Sequence, residues 1–343
     1  MKVAVVILNW NGRGFLEKFL PSVISCNNSY SDIIVADNNS SDDSIAFLKK
    51  KYPQVRLIIN DVNGGFAKGY NDALKHVDAE YYVLLNSDVE VTPGWIEGVI
   101  DLMDSDKTIA ACQPKIRMFD NKKMFEYAGA AGGFIDKYAY PFCRGRILEN
   151  LEEDKGQYDD VREVFWATGA CMFVRAVQFK EVGGFDEDFF AHMEEIDLCW
   201  RLKNLGYKIM YSPNSIVYHV GGGTLNKTSP RKTYLNFRNN LYLIFKNHPP
   251  QFFFLKLLFR MILDGIAGAK FMASGQFAHC WAIVKAHFSF YGSLNSLIQK
   301  RKFLKANIKA YTSSAVYLHS IVADFYLRGH KTFSAIDRKD RFL

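Results

Sequence analysis

Cysteine is scarce in this chain of 343 residues, and none of its six cysteines forms a CxxC pair. They are Cys26, Cys112, Cys143, Cys171, Cys199 and Cys280. Zinc sites and redox motifs of the thioredoxin type place two cysteines close together, so the sequence argues against both. Most of the cysteines lie in apolar surroundings, such as residues 170–173. We therefore expect buried free thiols in a reducing cytosol.

Apolar runs long enough to cross a membrane are absent as well, because charged residues interrupt each run before the ~20 residues that a spanning helix requires. The run at residues 3–8 is too short for the core of a signal peptide, and no cleavage site of small residues follows it. We interpret that run as a β strand. Internal repeats and low-complexity tracts are also missing.

Two phosphate-binding signatures are missing. The chain has no GxxxxGKS/T motif, which argues against a P-loop enzyme. Gly12-Arg13-Gly14 follows the first apolar run, but it does not extend into GxGxxG. This second absence weakens the hypothesis of a nicotinamide-dependent oxidoreductase.

The chain is rich in apolar residues, at 49%, and in aromatic residues, with 28 Phe and 18 Tyr. Such a chain can bury a large core and is long enough for a large domain plus an appendage. Residues 246–343 carry 15 Lys and Arg and 4 Asp, a net charge of +11, whereas residues 1–245 carry 28 basic and 32 acidic residues, a net charge of −4. We therefore divide the chain at 245/246 and expect the tail to meet a membrane surface or another polyanion. A solvated basic face is the alternative.

Short apolar runs that alternate with helical patterns predict an α/β fold. The runs lie at residues 3–8, 33–36, 56–59 and 81–85, and the helical patterns at 14–25, around 42–48, at 66–77 and at 94–103. Continuous apolar strands are typical of parallel sheets covered on both faces, so we expect a doubly wound, mostly parallel sheet. Residues 115–163 look irregular. Order returns at 164–174, with a helix at 194–205 and short strands at 209–211 and 215–219.

Polar clusters end four of the predicted strands, at residues 9–11, 37–40, 60–63 and 86–88. The carboxyl ends of parallel strands meet at one edge of a sheet, where open α/β sheets bind ligands. One such cluster is typical of an ordinary turn, but four at one edge favour a site for a base, a ribose and a diphosphate. We predict that Asp88 holds Mg²⁺ or Mn²⁺ bridged to that diphosphate. A solvated loop acid is the alternative.

Later residues could complete this site. His219 ends a predicted strand and could bind metal as a neutral imidazole, which suits Mn²⁺ better than Mg²⁺, although a lone histidine is more often structural. The glycine-containing loop at 220–224 could close over the diphosphate or form a plain turn. Arg231, Lys232 and Arg238 could add positive charge near phosphate or be solvated.

A second acidic cluster, Glu194, Glu195 and Asp197, begins the predicted helix at 194–205. Acids at a helix N-terminus complement its dipole, and Asp197 can pair with Arg201 one turn later. Three acids within four residues also repel one another, and such crowding with partial burial raises a carboxylate pKa and can create a base. We predict that Glu195 is the base, with Glu194 and Asp197 as its partners.

These segments resemble glycosyltransferase family 2, which has the GT-A fold, over about residues 3–245. Within the family, they are most similar to the rhamnosyltransferase-like enzymes that build bacterial surface polysaccharides. The matching segments are residues 5–12, 35–42, 63–67, 84–91, 168–170, 183–187 and 194–201. The resemblance implies a GT-A glycosyltransferase domain at 1–245 and a C-terminal helical appendage at 246–343.

The resemblance also implies residue roles. Asp37 would contact the donor's pyrimidine base, Asp88 would be the metal-holding acid of the DXD motif, and Glu195 would be the base. His219 matches a histidine that binds metal in some relatives. The remaining donor-side residues are Asn9, Asn11, Asn38, Asn63, Lys68, Asn71 and Asn86, and the acceptor-side residues are Trp166, Thr168 and Gly169. Asn86 stands where the family has its first DXD acid and offers only a neutral carbonyl, which suits contact through water. Glu195 stands where the family has aspartate.

The implied reaction is inverting transfer of a sugar from a nucleoside-diphosphate donor to a hydroxyl of a glycan acceptor, with Mn²⁺ or Mg²⁺ as cofactor. The chain lacks a QxxRW motif, which argues against a processive cellulose- or chitin-type synthase. We expect no nucleic acid among its partners. The alternative is a catalytically silent, nucleotide-sugar-binding scaffold of a polysaccharide assembly complex.

Residues 251–272 have a helical pattern in which Lys256, Arg260 and Asp264 share one stripe. We expect an amphipathic helix at the inner leaflet of the cell membrane, and a second basic cluster at Lys300, Arg301, Lys302, Lys305 and Lys309 to contact anionic headgroups. The protein would then be cytoplasmic and peripheral on the inner face of the membrane, and its acceptor would be linked to polyprenyl diphosphate. The alternative is a helical appendage packed on the catalytic domain.

Overall fold

The computed structural model describes residues 1–221, 229–309, 311 and 314–343, and it begins with the predicted alternation of strands and helices. These elements are β1 (Val3–Asn9), α1 (Arg13–Ser25), β2 (Ser31–Asp37), α2 (Ser44–Lys51), β3 (Arg56–Ile59), α3 (Gly65–Leu74), β4 (Tyr81–Asn86), β5 (Val89–Val91) and α4 (Glu97–Ser105). β1 pairs in parallel with β2 and β4, and β2 pairs in parallel with β3. α4 begins later than the predicted residue 94, because Gly94 has a positive φ of +76° that interrupts a helix.

The next elements complete the main sheet and build a second one. They are β6 (Ile109–Met118), β7 (Gly133–Asp136), β8 (Pro141–Cys143), β9 (Arg146–Ile147), β10 (Asn150–Leu151), β11 (Arg162–Val164), β12 (Cys171–Arg175), α5 (Ala176–Glu181), α6 (Glu194–Asn204) and β13 (Lys208–His219). The main sheet has the strand order β11-β13-β6-β12-β4-β1-β2-β3, with β5 paired to β13. β12 runs antiparallel to both of its neighbours, whereas β6 and β13 are parallel.

The C-terminal part contains α7 (Pro230–Asn247), α8 (Phe253–Ala273), α9 (Phe277–Gly292), α10 (Leu294–Asn307), β14 (Val316–Tyr317) and α11 (Ile321–Tyr326). The proposed boundary at 245/246 falls inside α7, so the two parts share a helix. The tail is not purely helical either, because β14 pairs in parallel with β7 and extends the second sheet to the order β10-β9-β8-β7-β14. Among the described residues, no helix combines the length and the hydropathy that crossing a membrane requires.

Two predictions about strands were wrong. The stretch at 115–163 is not an irregular excursion, because β6 continues to Met118 and the second sheet occupies much of the remainder. The two short strands at 209–211 and 215–219 are one strand, β13, whose pairing with β6 shifts register between Ser212 and Ile216. A bulge of this kind bends a strand without ending it, so the polar residues between the two apolar stretches do not form a turn.

The main sheet is buried on both faces, as its continuous apolar strands predict. In β1, Val3, Val5 and Ile7 enter one hydrophobic cluster together with Leu16 and Leu20 of α1. The alternate residues of the same strand, Ala4 and Val6, enter the other cluster. This period of two, with helices on both faces, confirms the predicted α/β class and leaves only the ends of the strands open to a ligand.

Candidate active site

Buried polar side chains join the carboxyl ends of β1 and β2. Asn9 Nδ2 donates to Asp37 Oδ2 over 2.9 Å, and the backbone N–H of Ser40 donates to Asp37 Oδ1 over 2.8 Å. Both Asn9 and Asp37 are fully buried. These bonds give Asp37 a structural task at the sheet edge, and its contact with the donor base stays a prediction. Beside this pair, Asn11 is exposed, has a φ of +49°, and accepts from the Ser41 N–H over 2.8 Å.

A chain of asparagine amides continues along the same edge to the start of α3. Asn60 Nδ2 donates to Asn38 Oδ1 over 3.1 Å, and Asn38 Nδ2 donates to Asn63 Oδ1 over 2.9 Å. Asn63 Oδ1 also accepts from the N–H of Gly65 over 3.0 Å. The structure therefore brings the predicted residues Asn38 and Asn63 together, and it adds Asn60 as the link between them.

Lys68 and Asn71 lie on α3 and contact the segment that leads towards α6. Lys68 Nζ is 2.8 Å from Asp72 Oδ2 and 3.8 Å from Glu187 Oε2. Asn71 donates to the carbonyl of Phe185 over 2.9 Å and accepts from the N–H of the same residue over 3.0 Å. Asn71 thus fastens the segment around Phe185 to α3, and a donor contact by either residue stays a prediction.

Asp88 and His219 face each other where β5 pairs with β13. His219 Nε2 is 3.2 Å from Asp88 Oδ1, and Asn86 Nδ2 is 3.5 Å from the same ring nitrogen. His219 Nδ1, on the other side of the ring, is 3.3 Å from Glu126 Oε2. No local sequence pattern points to Glu126, because it follows β6 in the stretch that looks irregular in the sequence. Three of these four residues were predicted for the metal side of the site, and the structure brings them together.

The two acids control the charge of this cluster. Burial lowers the pKa of His219, but the carboxylates of Glu126 and Asp88 outweigh burial and raise that pKa to about 10. Burial likewise raises the pKa of Asp88, and the imidazolium of His219 outweighs it, so the net change is a lowered pKa. A metal ion that binds here therefore meets an ionised carboxylate and has to displace a proton from His219.

The donor set fits Mn²⁺ or Mg²⁺ shared with a substrate. One carboxylate, one imidazole and one amide carbonyl suit these ions when phosphate oxygens and water supply the other ligands. Within the described ranges, no group of three or more His, Cys, Asp and Glu residues is arranged to hold a metal ion by itself. Of the glycine-containing loop predicted at 220–224 to cover the diphosphate, residues 222–224 lie outside the described residues.

Glu194 and Glu195 begin α6, directly after a strained turn. Phe190, His192 and Met193 all have positive φ, at 63°, 69° and 72°. One buried side chain holds this turn in place: Asn239 Nδ2 of α7 donates to the carbonyls of Phe189, Ala191 and His192 over 2.9, 2.9 and 2.7 Å. Backbone strain of this kind persists only where the surroundings impose it, and it collects at functional sites.

The two glutamates have the electrostatics of a general base and a neutral neighbour. Burial raises the pKa of Glu195 to about 7, although backbone amides lower it in part. Burial together with the charge of Glu195 raises the pKa of Glu194 well above its usual range. Glu195 keeps some exposed surface, but the Oε2 atom of each glutamate is buried and has no hydrogen-bond partner. An unsatisfied carboxylate oxygen can accept a proton from a substrate.

Asp197, predicted as a partner of Glu195, serves a different purpose. It is fully buried, and its carboxylate accepts from Arg201 Nε over 2.8 Å and from Asn247 Nδ2 over 2.7 Å. Lys246 Nζ is 2.9 Å from its Oδ1. Burial raises the pKa of Asp197, but Lys246 and Arg201 outweigh it and the net pKa is lowered. Asp197 therefore joins α6 to α7 through its contacts with Arg201, Lys246 and Asn247.

The metal-side cluster and the base pair lie near the same thiol. Burial raises the pKa of Cys143, and the charges of both Glu126 and Glu195 add to that increase. Glu126 also contacts His219, which in turn contacts Asp88, so the metal-side cluster and Glu195 both lie close enough to Cys143 for their charges to act on it. The two predicted halves of the site therefore belong to one region of the molecule.

The predicted acceptor-side residues lie behind this region. Trp166 is 3% exposed, and its indole N–H donates to the carbonyl of Phe134 over 3.0 Å. Thr168 is 1% exposed, and its backbone N–H donates to Gln113 Oε1 over 2.9 Å. Gly169 is buried against the ring of Phe66. These three positions are buried, so none of them presents an exposed side chain to an acceptor, and their acceptor-side role stays a prediction.

The predicted basic residues of α7 include two that stabilise the turn before α6. Arg238 donates to the carbonyls of Asp188 and Phe189 over 2.8 and 3.1 Å. The guanidinium of Arg231 lies 5.2 Å from the centre of the Phe190 ring. Both arginines therefore contact the segment that presents the glutamates, and a phosphate contact by Arg231, Lys232 or Arg238 stays a prediction.

Comparison with known proteins gives three findings. The family model described as glycosyl transferase family 2 matches residues 4–181, more than half of the chain. The chain is 28% identical over 229 residues to the N-acetylglucosaminyl-diphospho-decaprenol L-rhamnosyltransferase of Mycobacterium tuberculosis, covering 63% of this chain and 75% of that protein. It is 25% identical over 221 residues to the rhamnosyltransferase WbbL of Escherichia coli, covering 62% and 80%.

The fold is also similar to that of the mannosyltransferase PcManGT from Pyrobaculum calidifontis, solved in complex with GDP-Man and Mn²⁺. The TM-score is 0.53 at 15% identity, and the similarity covers 89% of this chain and 85% of that one. At this level of identity the likeness concerns the fold, and it agrees with the GT-A architecture predicted from the sequence.

Proposed function

The chain belongs to glycosyltransferase family 2, and from that premise we propose that it transfers a sugar, with inversion, from a nucleoside diphosphate to a hydroxyl of a lipid-linked glycan. One observation carries this proposal: a glutamate whose pKa is raised to about 7 lies in the same region as the Asp88–His219 pair. A base near neutrality beside a site for a metal-bound diphosphate is what such a transfer requires.

On the donor side, Asp88 and His219 would hold Mn²⁺ or Mg²⁺, with Asn86 in contact through water. When bound, the metal acts as a Lewis acid that neutralises charge on the departing nucleoside diphosphate. The asparagine chain Asn38, Asn60 and Asn63 keeps the neighbouring edge rigid. A rigid edge positions the donor without further reorganisation.

On the acceptor side, Glu195 takes the proton of the attacking hydroxyl. A bond forms between the acceptor oxygen and the anomeric carbon, and the bond from that carbon to the diphosphate oxygen breaks on the opposite face of the sugar, as in inverting glycosidases where water is the nucleophile. Burial and the charge of Glu195 raise the pKa of Glu194 and so favour its neutral form. In that form it adds no negative charge next to the base.

The relatives support a lipid-linked acceptor. The name of the Mycobacterium tuberculosis relative describes an enzyme that transfers rhamnose to a sugar on diphospho-decaprenol. We propose the same class of acceptor here, a sugar on a polyprenyl diphosphate. The names of the relatives support rhamnose or another hexose as the transferred sugar.

Screening donors by thermal unfolding tests this proposal. We expect one of the uridine-, thymidine- or guanosine-diphosphate sugars to raise the melting temperature in the presence of Mn²⁺ and not in the presence of EDTA, because a ligand that binds only the folded state stabilises it, by about 2.7 kcal/mol at 100 times its Kd. Slow hydrolysis of that donor is expected as well. Binding without hydrolysis or transfer would favour a silent scaffold, and no stabilisation by any donor would contradict the proposal.

For membrane attachment, we propose that the outward face of α8 rests in the inner leaflet of the membrane. This face is apolar along most of the helix, and its exposed residues are Phe254 at 79%, Leu255 at 65%, Leu258 at 56%, Ile262 at 53% and Ile266 at 60%. α9 adds Phe277, Trp281 and Phe288, all more than half exposed. Large exposed apolar surfaces of this kind mark interaction sites, and aromatic residues favour the membrane interface.

The charged stripe of α8 faces the body of the protein, whereas an ordinary surface helix turns its charged residues towards solvent. Arg260 and Asp264 are buried, with Arg260 Nε 3.0 Å from Asp264 Oδ1 and the guanidinium 3.5 Å from the centre of the Tyr140 ring. His287 of α9 lies 3.2 Å from Asp264 Oδ2. The stripe therefore attaches α8 to the protein. Attachment to the body and binding to lipid, which were alternatives in the sequence, are compatible because they use opposite faces.

The predicted basic cluster is only partly available to headgroups. Lys300 pairs with Asp186 and Asp188, and buried Arg301 donates to the carbonyl of Phe245 over 2.6 Å. Lys302 and Lys305 remain exposed. We therefore assign membrane attachment mainly to insertion of apolar side chains, with anionic headgroups in a secondary role.

Vesicle flotation tests this assignment. The protein is expected to float with vesicles of phosphatidylglycerol and phosphatidylcholine, and to remain bound at high salt because apolar burial is not screened by ions. The triple variant L258E/I262E/I266E is expected to stay in the soluble fraction. Val177→Glu is the matched control, since Val177 is 71% exposed on α5, and this variant should float. Wild-type protein that stays soluble even at low salt would contradict membrane attachment.

A further inference from the structure

Glu126 is a buried carboxylate to which the reaction described above assigns no task. It follows β6 and is 3% exposed. Its backbone N–H donates to the carbonyl of Ile116 over 3.1 Å, and its Oε2 accepts from the backbone N–H of Ala128. These bonds fix both the backbone and the side chain, so the carboxylate points in a defined direction. That direction leads to the imidazole of His219.

The imidazole of His219 lies between two acids. Nδ1 is 3.3 Å from Glu126 Oε2, and Nε2 is 3.2 Å from Asp88 Oδ1. The contact of Nδ1 with Glu126 is an ion-pair distance, and Nδ1 has no hydrogen-bond partner among the described residues. The two ring nitrogens therefore face different carboxylates, and only Nε2 is on the side of Asp88. Glu126 is on the far side of the ring from the position that a metal held by Asp88 and His219 would occupy.

The backbone at Gly221 lies against the carboxylate of Glu126. Gly221 has a φ of +70°, and a Cβ at this position would lie 2.6 Å from Glu126 Oε1. A side chain at residue 221 would be strained and would displace the carboxylate. The backbone after β13 therefore packs directly on Glu126 and helps to keep its carboxylate beside His219 and the N–H of Ala128.

We propose that Glu126 is a positioning residue for His219: it holds the proton on Nδ1 and so leaves the lone pair of Nε2 for the metal that Asp88 shares. A carboxylate behind a metal-binding histidine fixes the tautomer and the orientation of the ring and increases its basicity. Glu126 does not itself touch the metal or the substrate. This inference rests on the proposed function, because it assumes that His219 is a metal ligand.

The binding of Mn²⁺ tests this role apart from activity. Free Mn²⁺ is measured by electron paramagnetic resonance, with Mn²⁺ alone and with Mn²⁺ plus uridine diphosphate, for wild type, E126A, E126Q, H219A and E126A/H219A. We expect E126A to weaken Mn²⁺ binding by about 10-fold or more. E126Q should lose less, because its amide oxygen still accepts from Nδ1–H. Adding E126A to H219A should cause no further loss, since a residue that acts through His219 has no effect without it.

Two outcomes would overturn the inference: wild-type affinity in E126A, or a loss that is as large in the H219A background as in the wild type. The variants D88A and H219A test the metal site itself. If both bind Mn²⁺ with wild-type affinity, the proposed metal site is wrong, whereas a loss in both with no loss in E126A contradicts only the role of Glu126. Glu153→Ala is the matched control, since Glu153 is a half-exposed glutamate paired only with Lys155 at the surface. Thermal unfolding without metal checks that each variant is folded. If E126A does not fold, the Mn²⁺ affinity of E126Q is compared with that of wild type instead.

Discussion

Glu195→Gln is expected to lower the rate of sugar transfer by about 10²–10⁴-fold, the usual contribution of a general base, while donor binding stays at the wild-type level. Glutamine has the same shape as glutamate but cannot take a proton from the acceptor hydroxyl. Steady-state transfer rates, with donor affinity measured separately by calorimetry, check both parts. Glu181→Gln is a suitable control, since Glu181 is an exposed acid that pairs with Tyr207 and should leave the rate unchanged.

The pH dependence provides a second measurement on the same variant. Burial raises the pKa of Glu195 to about 7, so the base is protonated at lower pH and the wild-type rate should fall as the pH falls below about 7. The residual transfer rate of the Glu195→Gln variant should not show this decrease at low pH. Because a raised carboxylate pKa means that ionisation costs stability, the free energy of unfolding should fall as pH rises towards 7 in wild type and fall less in the variant. Wild-type turnover in Glu195→Gln, with loss in Glu194→Gln instead, would assign the base to Glu194.

Asp88→Asn is expected to have the second largest effect, a loss of metal-dependent donor binding greater than the 10–100-fold typical of removing a partner behind a metal ligand. The substitution removes the ionised oxygen that would meet the metal, and it removes the acid beside His219 Nε2. Calorimetric titration of the nucleotide identified by the donor screen, in Mn²⁺ and in EDTA, measures the loss.

Asp120→Asn serves as the control for this substitution, because Asp120 is an exposed acid in the loop after β6. It should bind metal and donor as the wild type does. Asp88 is buried, so thermal unfolding has to establish that the Asp88→Asn protein is folded. An unchanged titration in a folded Asp88→Asn protein would refute the role of Asp88.

Strands and helices of the first hundred residues could be predicted because their signal is local. Residues 3–8 and 81–85 are apolar without interruption, and β1 and β4 occupy those positions in the core of the sheet. Polar residues at the ends of these strands then had to meet at one edge, since parallel strands align their carboxyl ends. The family and the GT-A fold predicted from these segments are confirmed by the match to glycosyltransferase family 2.

The second sheet could not be predicted, because its strands are too short to show a pattern and its last strand comes from a distant part of the chain. β9 and β10 have two residues each, too few to show an alternating pattern, and β7 is completed by β14 about 180 residues later. Glu126 was missed for the same reason. Its significance lies in its contact with His219, which is 93 residues away in the sequence, and nothing in its own neighbourhood indicates a ligand site.

The sequence by itself determined the α/β class, the family, the polar edge of the sheet and the identity of the candidate metal and base residues, because each depends on short segments whose spacing is visible in one dimension. Only the tertiary structure decided which of the clustered acids is neutralised by basic side chains and which keeps an oxygen without a hydrogen-bond partner. Asp197 and Glu195 look alike in the sequence, yet Asp197 is neutralised by Arg201 and Lys246, whereas Glu195 has an oxygen without a partner. The orientation of α8 was decided in the same way: its charged stripe turns inward because Tyr140 and His287 meet it there, and its apolar face is left to the outside.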